Sequence, residues 1–146
     1  MIKAGDPIPS VTIKQATAEG PQDVDPAALF AGKHVVMFAV PGAFTPTCST
    51  QHLPGYVARL DEFAARGVDL VACLAVNDAW VMQAWAAQHG ALGKIVMLAD
   101  GTAAFTKALG LDVDLAAAAL GVPARRGLIS FKDGKAAIVA IEAPGR

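Results

Sequence analysis

The sequence predicts an α/β fold in which helices cover both faces of a mixed β-sheet. Short and strongly apolar segments at 35–40 and 70–76 are typical of buried central strands. Capped helical stretches separate such segments, so consecutive strands of this part are expected to be parallel. Near the end, Lys132-Asp133-Gly134-Lys135 separates two apolar stretches and predicts a C-terminal β-hairpin.

The beginning of the chain is predicted to be extended. Pro7 and Pro9 favour extended backbone, and the alternation in Val11–Lys14 suits an edge strand. Residues 19–30 indicate a surface turn and a short helical stretch. The buried strand His34–Val40 follows them.

A long helix is predicted to begin at Thr45, directly after this buried strand. Thr45 is a good N-cap, and Pro46 fits the first helical position, where its missing N–H costs nothing. Apolar residues recur at helical spacing until Gly67 ends the helix. Pro54-Gly55 lies within this apolar stripe and predicts a kink or break there.

The second half is predicted to alternate strands with short helices before the hairpin. Asp78 is expected to cap one helix, and Gly90 and Gly110 are expected to end this helix and the next. The resulting order, βαβαβα and then a hairpin, is a thioredoxin-like layout in one domain spanning residues 1–146. The predicted elements are the strand Val68–Val76, a helix ending near His89, the strand Ile95–Leu98, the helix Thr102–Leu109, and the hairpin strands Leu128–Phe131 and Ala136–Ile141.

The composition excludes several classes of protein. Twelve Lys and Arg against 13 Asp and Glu give a net charge of −1, so there is no basic field to hold a nucleic acid. A hydrophobic fraction of 54% excludes a disordered chain. No apolar segment approaches the ~20 residues of a membrane span, and residues 1–10 lack the apolar part of a signal peptide. We therefore expect no membrane association and a cytoplasmic location.

The cysteines and histidines do not form a metal site or a dithiol motif in the sequence. Cys48 and Cys73 are too far apart for a Cys-x-x-Cys pair. His34, His52 and His89 have no metal-ligand spacing with each other or with the cysteines. Any chemistry is therefore expected to depend on single side chains.

Cys48 is the strongest candidate for such a side chain. The predicted helix places it in a first turn, where free N–H groups and the helix dipole stabilise a thiolate. That turn follows the carboxyl end of a central strand, where α/β sheets bind their ligands. The competing interpretation is a small buried hydrophobic residue, and the position at a helix start favours the nucleophile.

The segment around Cys48 resembles the active-site signature of the peroxiredoxin-5 subfamily, which comprises thiol peroxidases of the thioredoxin fold. The specific core of the signature is the pattern Pro-x-x-x-Thr-x-x-Cys, which stands here at residues 41–48. The resemblance extends over roughly residues 4–142. It is carried by residues 41–49, residues 52–56, Val76-Asn77-Asp78 with Trp85, and Phe131-Lys132-Asp133-Gly134.

The resemblance implies a role for four residues. Cys48 is the peroxidatic cysteine, which attacks the peroxide and becomes a sulfenic acid. Thr45 orients the peroxide and hydrogen-bonds the thiolate, and Pro41 shields the thiolate from solvent. The family also has an arginine eight residues before the hairpin glycine, and counting back from Gly134 reaches Arg126. A guanidinium there would stabilise the charge that moves onto the leaving oxygen.

Of the two residues next to Arg126, one is an alternative candidate for its role and the other departs from the family's pattern. Arg125 is the alternative, and only one of the two can reach the site because adjacent strand residues face opposite sides. Gly127 is the departure, since the family has an aromatic residue there. We therefore expect looser packing beside Arg126.

His52 and Cys73 are the remaining candidates. His52 lies one helical turn after Cys48, so it either raises the local positive potential, acts as a base, or makes a structural hydrogen bond. Cys73 lies within the apolar segment 70–76 and is expected to be a buried thiol that does not reach Cys48. This predicts a one-cysteine mechanism in which an external thiol restores the enzyme.

The leading hypothesis is a thiol peroxidase that reduces hydrogen peroxide and organic hydroperoxides. Its expected reductant is glutathione with glutaredoxin, or a thioredoxin-like protein, and no haem, metal or flavin is implied. The resemblance also implies a homodimer that packs near the active-site loops. The alternatives are a redox sensor or binding module in which Cys48 oxidation signals to a partner, and a scaffold in which Cys48 is inert.

Overall fold

The computed structural model describes residues 1–44, 53–113 and 124–141. Within these residues, one mixed sheet has the strand order β2-β1-β5-β4-β3-β6-β7. This confirms the predicted thioredoxin-like α/β fold. The elements in chain order are β1 Ile13–Thr17, β2 Gly20–Val24, α1 Pro26–Phe30, β3 Val35–Ala39, α2 Leu53–Ala58, α3 Leu60–Ala65, β4 Leu70–Ala75, α4 Ala79–Gln88, β5 Val96–Ala99, α5 Ala104–Leu109, β6 Gly127–Lys132 and β7 Lys135–Ile141.

The centre of the sheet is parallel and its two sides are antiparallel. Strand β4 pairs in parallel with β3 and with β5. Strand β6 pairs antiparallel with β3 and forms the predicted hairpin with β7. The turn of the hairpin is Asp133-Gly134, and both residues have positive φ, as the favoured two-residue turns require. All five residues of β3 are buried, which confirms the interpretation of its apolar sequence.

The beginning of the chain differs from the prediction. Strand β1 is not an edge strand, because it lies between β5 and β2. Strand β2 was not predicted because its sequence, Gly-Pro-Gln-Asp-Val, has little strand propensity. Pairing with β1 holds it in place, with an ion pair between Lys14 and Asp23 and a hydrogen bond from Thr17 Oγ1 to Gly20 O.

The helix that leads away from the candidate site has an interruption that the sequence did not predict, and the turn before Pro54, where this proline would disturb a helix, lies outside the described residues. Pro54-Gly55 lies within α2, and the interruption falls at Arg59. There the Arg59 N–H donates to Tyr56 O, three residues back, and the backbone leaves helical geometry before α3.

Within the described residues, no helix has the length and apolar character that a membrane span needs.

Two hydrophobic clusters show that helices cover both faces of the sheet, as predicted. Alternate residues of β3 divide between them, with Met37 in one cluster and Phe38 in the other. We call the first side the α5 face; its cluster includes Phe30, Met37, Phe105, Leu109 and Ile129. We call the second side the α2 face; its cluster includes Phe38, Leu53, Cys73, Met82 and Trp85.

The expectation of loose packing at Gly127 is wrong. A Cβ atom added to Gly127 would lie 2.7 Å from the carbonyl oxygen of Ala140 and 2.8 Å from the Cα of Ile141. Strand β7 therefore occupies the space that a side chain would need. Glycine allows this close approach of two backbones beside Arg126.

Candidate active site

The carboxyl ends of the parallel strands bring three chain segments to one edge of the sheet. These segments are residues 40–44 after β3, Asn77-Asp78 after β4, and Asp100-Gly101 after β5. The position of a Cβ on Gly101 is 3.8 Å from Asn77 O, so two of the segments are in contact. We call this the carboxyl edge. It is the edge at which open α/β sheets bind ligands.

Pro41 and Arg126 lie at this edge on neighbouring strands. Ala39 pairs with Gly127, so Arg126 directly precedes β6 while Pro41 follows β3 by two residues. Both residues are half-buried, and the Nε atom of Arg126 is fully buried. The pairing of β3 with β6 thus brings two of the predicted site residues to the same edge of the sheet although 85 positions separate them in the chain.

The register of β6 distinguishes the two arginines. Leu128 pairs with Phe38, whose side chain belongs to the α2 face. Arg125 and Arg126 precede β6, and extending its alternation to them would put Arg126 on the side of Leu128 and Arg125 on the opposite side. The backbone N–H of Arg125 donates a hydrogen bond of 2.7 Å to Leu111 O. This bond ties Arg125 to the segment that follows α5. This alternation favours Arg126 as the arginine on the side of α2.

Thr45, Cys48 and His52 lie outside the described residues. The described chain stops at Phe44 on the carboxyl edge and resumes at Leu53, which is fully buried on the α2 face. The roles assigned to these three side chains therefore stay predictions.

Asn77 is a residue of this edge that the sequence did not single out for a role. Its side-chain Oδ1 accepts a hydrogen bond of 2.9 Å from the backbone N–H of Ala43. The next residue, Phe44, has a φ of 63°, a left-handed conformation that costs a non-glycine residue about 1–2 kcal/mol. The sequence signals were an asparagine after a buried strand, which is typical of a turn, and the place of Val76-Asn77-Asp78 in the family resemblance.

A stack of three aromatic rings connects β3 with α2 and α3. The rings of Phe38 and Tyr56 are parallel with centroids 3.9 Å apart, and Phe63 stacks on Tyr56 at 5.8 Å. Burial raises the pKa of Tyr56, and the nearby Cys73 contributes to the same effect. Cys73 is fully buried in the middle of β4, which confirms that it is a buried thiol.

Two large side chains at the edge remain exposed. Phe44 is 48% exposed and Trp80, in the first turn of α4, is 68% exposed, whereas Trp85 and Phe105 are fully buried. Among residues 1–44, 53–113 and 124–141, no group of three or more His, Cys, Asp or Glu side chains could hold a metal ion.

The Redoxin family model matches residues 3–143. The chain is 40% identical to peroxiredoxin-2C of Oryza sativa subsp. japonica over 146 residues, covering 99% of this chain and 90% of that protein. The chain belongs to the Redoxin family. Its relatives in that family are peroxiredoxins, which agrees with the resemblance found in the motif.

Two further comparisons describe the extent of the similarity. The crystal structure of reduced Prx3 in complex with H2O2 from Vibrio vulnificus superimposes with a TM-score of 0.94 at 48% identity, covering 100% of this chain and 91% of that one. The chloroplastic peroxiredoxin-2E of Arabidopsis thaliana is 40% identical over 148 residues, covering 99% of this chain. The chain spans 63% of the length of that relative.

Proposed function

We propose that this Redoxin-family chain is a thiol peroxidase of the peroxiredoxin-5 subfamily, with Cys48 as its peroxidatic cysteine. The observation that carries the proposal is that Pro41, the first residue of the Pro-x-x-x-Thr-x-x-Cys motif, and Arg126 lie at the same carboxyl edge, because Pro41 follows β3, Arg126 precedes β6, and these two strands pair. The motif supplies the nucleophile, and the neighbouring strand supplies a fixed cation on the side of α2. The substrates would be hydrogen peroxide and organic hydroperoxides.

The proposed reaction is a displacement at oxygen. The Cys48 thiolate attacks the terminal oxygen of the peroxide, an S–O bond forms and the O–O bond breaks. Sulfur is oxidised to a sulfenic acid, while the leaving oxygen is reduced and takes up a proton as water or an alcohol. Thr45 would orient the peroxide, and Pro41 would limit access of water. Arg126 would stabilise the charge that passes from sulfur to the leaving oxygen.

Turnover separates this enzyme from the redox sensor that is the alternative. Purified protein is mixed with hydrogen peroxide and a thiol donor, either glutathione with glutaredoxin or a thioredoxin with its reductase. An enzyme consumes many equivalents of peroxide, with a fast second-order reaction at Cys48. Oxidation that stops at one equivalent with every donor would favour the sensor.

The proposed mechanism uses one cysteine. A disulfide requires Cα atoms within about 7 Å and side chains that can meet. Cys73 is fully buried in β4, between β3 and β5, in the same hydrophobic cluster as Phe38 and Tyr56. Freeing it would require the centre of the sheet to open, so we propose that an external thiol resolves the sulfenic acid.

Intact mass and a Cys73 variant test this mechanism. One equivalent of peroxide without reductant is expected to add one oxygen atom to Cys48 and form no disulfide. Cys73→Ala, which leaves no buried hydroxyl unpaired, is expected to keep turnover with glutathione nearly unchanged. A Cys48–Cys73 disulfide in the wild type, together with loss of turnover in the variant, would make Cys73 the resolving residue.

We also propose a homodimer that packs at the carboxyl edge. The support is the exposure of two large aromatic side chains, Phe44 and Trp80. They lie on two segments of this edge that a hydrogen bond between Ala43 and Asn77 joins. Exposed aromatic residues of this kind are enriched in the centres of interfaces.

Sedimentation measures the proposed dimer. Trp80→Asp is expected to shift the chain from dimer to monomer, because it places a charge where an apolar face would be buried. Ile138→Asp is the matched control, since Ile138 is 60% exposed on β7. A wild-type monomer, or equal dissociation in both variants, would refute the proposed interface.

We also propose that the protein is located in the cytoplasm. Fractionation of cells that carry the untagged chain tests this location.

A further inference from the structure

One hydrogen bond connects the segment that leads to Cys48 with a different strand. The segment Pro41–Phe44 leaves β3 and precedes residue 45 of the signature. The Ala43 N–H donates to Asn77 Oδ1 at 2.9 Å, and Asn77 is the second residue after the end of β4. The contact spans 34 positions in sequence, so the tertiary fold creates it.

The conformation beyond this hydrogen bond is one that the chain does not adopt by itself. Phe44 has a φ of 63° and is 48% exposed, so neither its own preference nor burial of its ring favours the left-handed turn. A strained residue of this kind persists only where its surroundings determine the backbone. The bond to the Ala43 N–H fixes the Gly42–Ala43 peptide unit, which is one unit before the peptide that enters Phe44.

Asn77 itself has support from the structure. Strand β4 lies at the centre of the sheet, and its last residues are fully buried. On the other side, Asp78 caps α4 by accepting a hydrogen bond of 2.8 Å from Val81 N–H. Asn77 therefore lies between two well-anchored elements and offers a fixed acceptor to a loop.

We propose that Asn77 is a positioning residue for Cys48. It holds Ala43 and thereby the left-handed turn at Phe44, which directs the chain into the predicted helix start at Thr45. The inference rests on the proposed function, because the side chain it positions is the proposed nucleophile. Asn77 acts through the loop backbone and does not contact the peroxide.

Three variants test the proposal. Asn77→Ala removes the acceptor, and Asn77→Asp keeps an oxygen at the same position. Gln83→Ala is the control: Gln83 Nε2 donates to Thr17 O at 2.9 Å and to Ala18 O at 3.4 Å, so this change also removes hydrogen bonding from a side chain to the backbone. These acceptors lie at the end of β1 toward the amino end of β5, away from the carboxyl edge. If Asn77→Ala does not fold, Asn77→Ser replaces it, since its hydroxyl is too short to reach Ala43.

The measurements are amide hydrogen exchange at Ala43, the second-order rate with hydrogen peroxide, and the pH profile of Cys48 alkylation. In Asn77→Ala, we expect faster exchange at Ala43, a peroxide rate about tenfold lower and a raised pKa of the Cys48 thiol. Asn77→Asp should keep Ala43 protected. Gln83→Ala should have about the same thermal stability as Asn77→Ala. Its peroxide rate and its pH profile of Cys48 alkylation should be those of the wild type.

The outcomes separate this inference from the proposed function. Wild-type rate and pH profile in Asn77→Ala, or an equal loss of rate in Gln83→Ala, would overturn the role of Asn77 and leave the peroxidase proposal standing. A wild-type protein without peroxide turnover would refute the peroxidase proposal instead. Exchange at Ala43 would still show in that case whether Asn77 holds the loop.

Discussion

Replacing Cys48 with serine is expected to remove essentially all peroxide turnover while the fold remains intact. A serine hydroxyl is not ionised near neutral pH, so it cannot supply the thiolate nucleophile that the proposed reaction requires. The change replaces only one sulfur atom with oxygen, so the side chain keeps nearly the same size. Peroxide consumption with a thiol donor measures the loss, and thermal unfolding checks the fold.

The expected loss is large because no second residue offers the same chemistry. The other cysteine, Cys73, is fully buried in β4. Cys73→Ala serves as the control, and it should retain turnover under the same conditions. Activity above a few per cent of wild type in Cys48→Ser would show that Cys48 is not the attacking residue, and would also argue against the redox sensor.

Much of the fold could be predicted because its signals are local. The apolar sequence of β3, the cap at Asp78 and the Asp133-Gly134 turn each specify an element within a few residues. Strand β2 has no such signal, and it exists because β1 offers a partner. The tight packing at Gly127 was missed for the same reason, since β7 approaches it from the far side of the hairpin.

The candidate site divides in a similar way. The motif that contains Cys48 is contiguous, so the sequence alone is enough to predict a nucleophile and its neighbours. Contacts between distant segments are invisible to such a pattern. The bond from Ala43 to Asn77 and the placement of Pro41 and Arg126 at one edge depend on which strands are neighbours, and a local sequence pattern does not contain the strand order.

Replacing Arg126 with alanine is expected to slow peroxide attack on the order of 10²-fold or more. Displacement moves negative charge from sulfur to the leaving oxygen, and a guanidinium at that point stabilises the charge in the transition state. Loss of the cation should also raise the pKa of the Cys48 thiol. The deficit should therefore be greatest at low pH and diminish as pH rises and the thiolate forms without help. Stopped-flow rates across pH measure both effects.

Arg125→Ala is the matched control because it removes the same side chain one residue earlier. The register of β6 places Leu128 opposite Phe38 on the α2 face, and alternation puts Arg126 on that side and Arg125 on the other. Arg125→Ala should therefore reduce the peroxide rate far less, and its pH profile should follow wild type. If Arg125→Ala gives the larger loss and the shifted profile, the alternation does not extend beyond β6, and Arg125 is the arginine that stabilises the leaving oxygen.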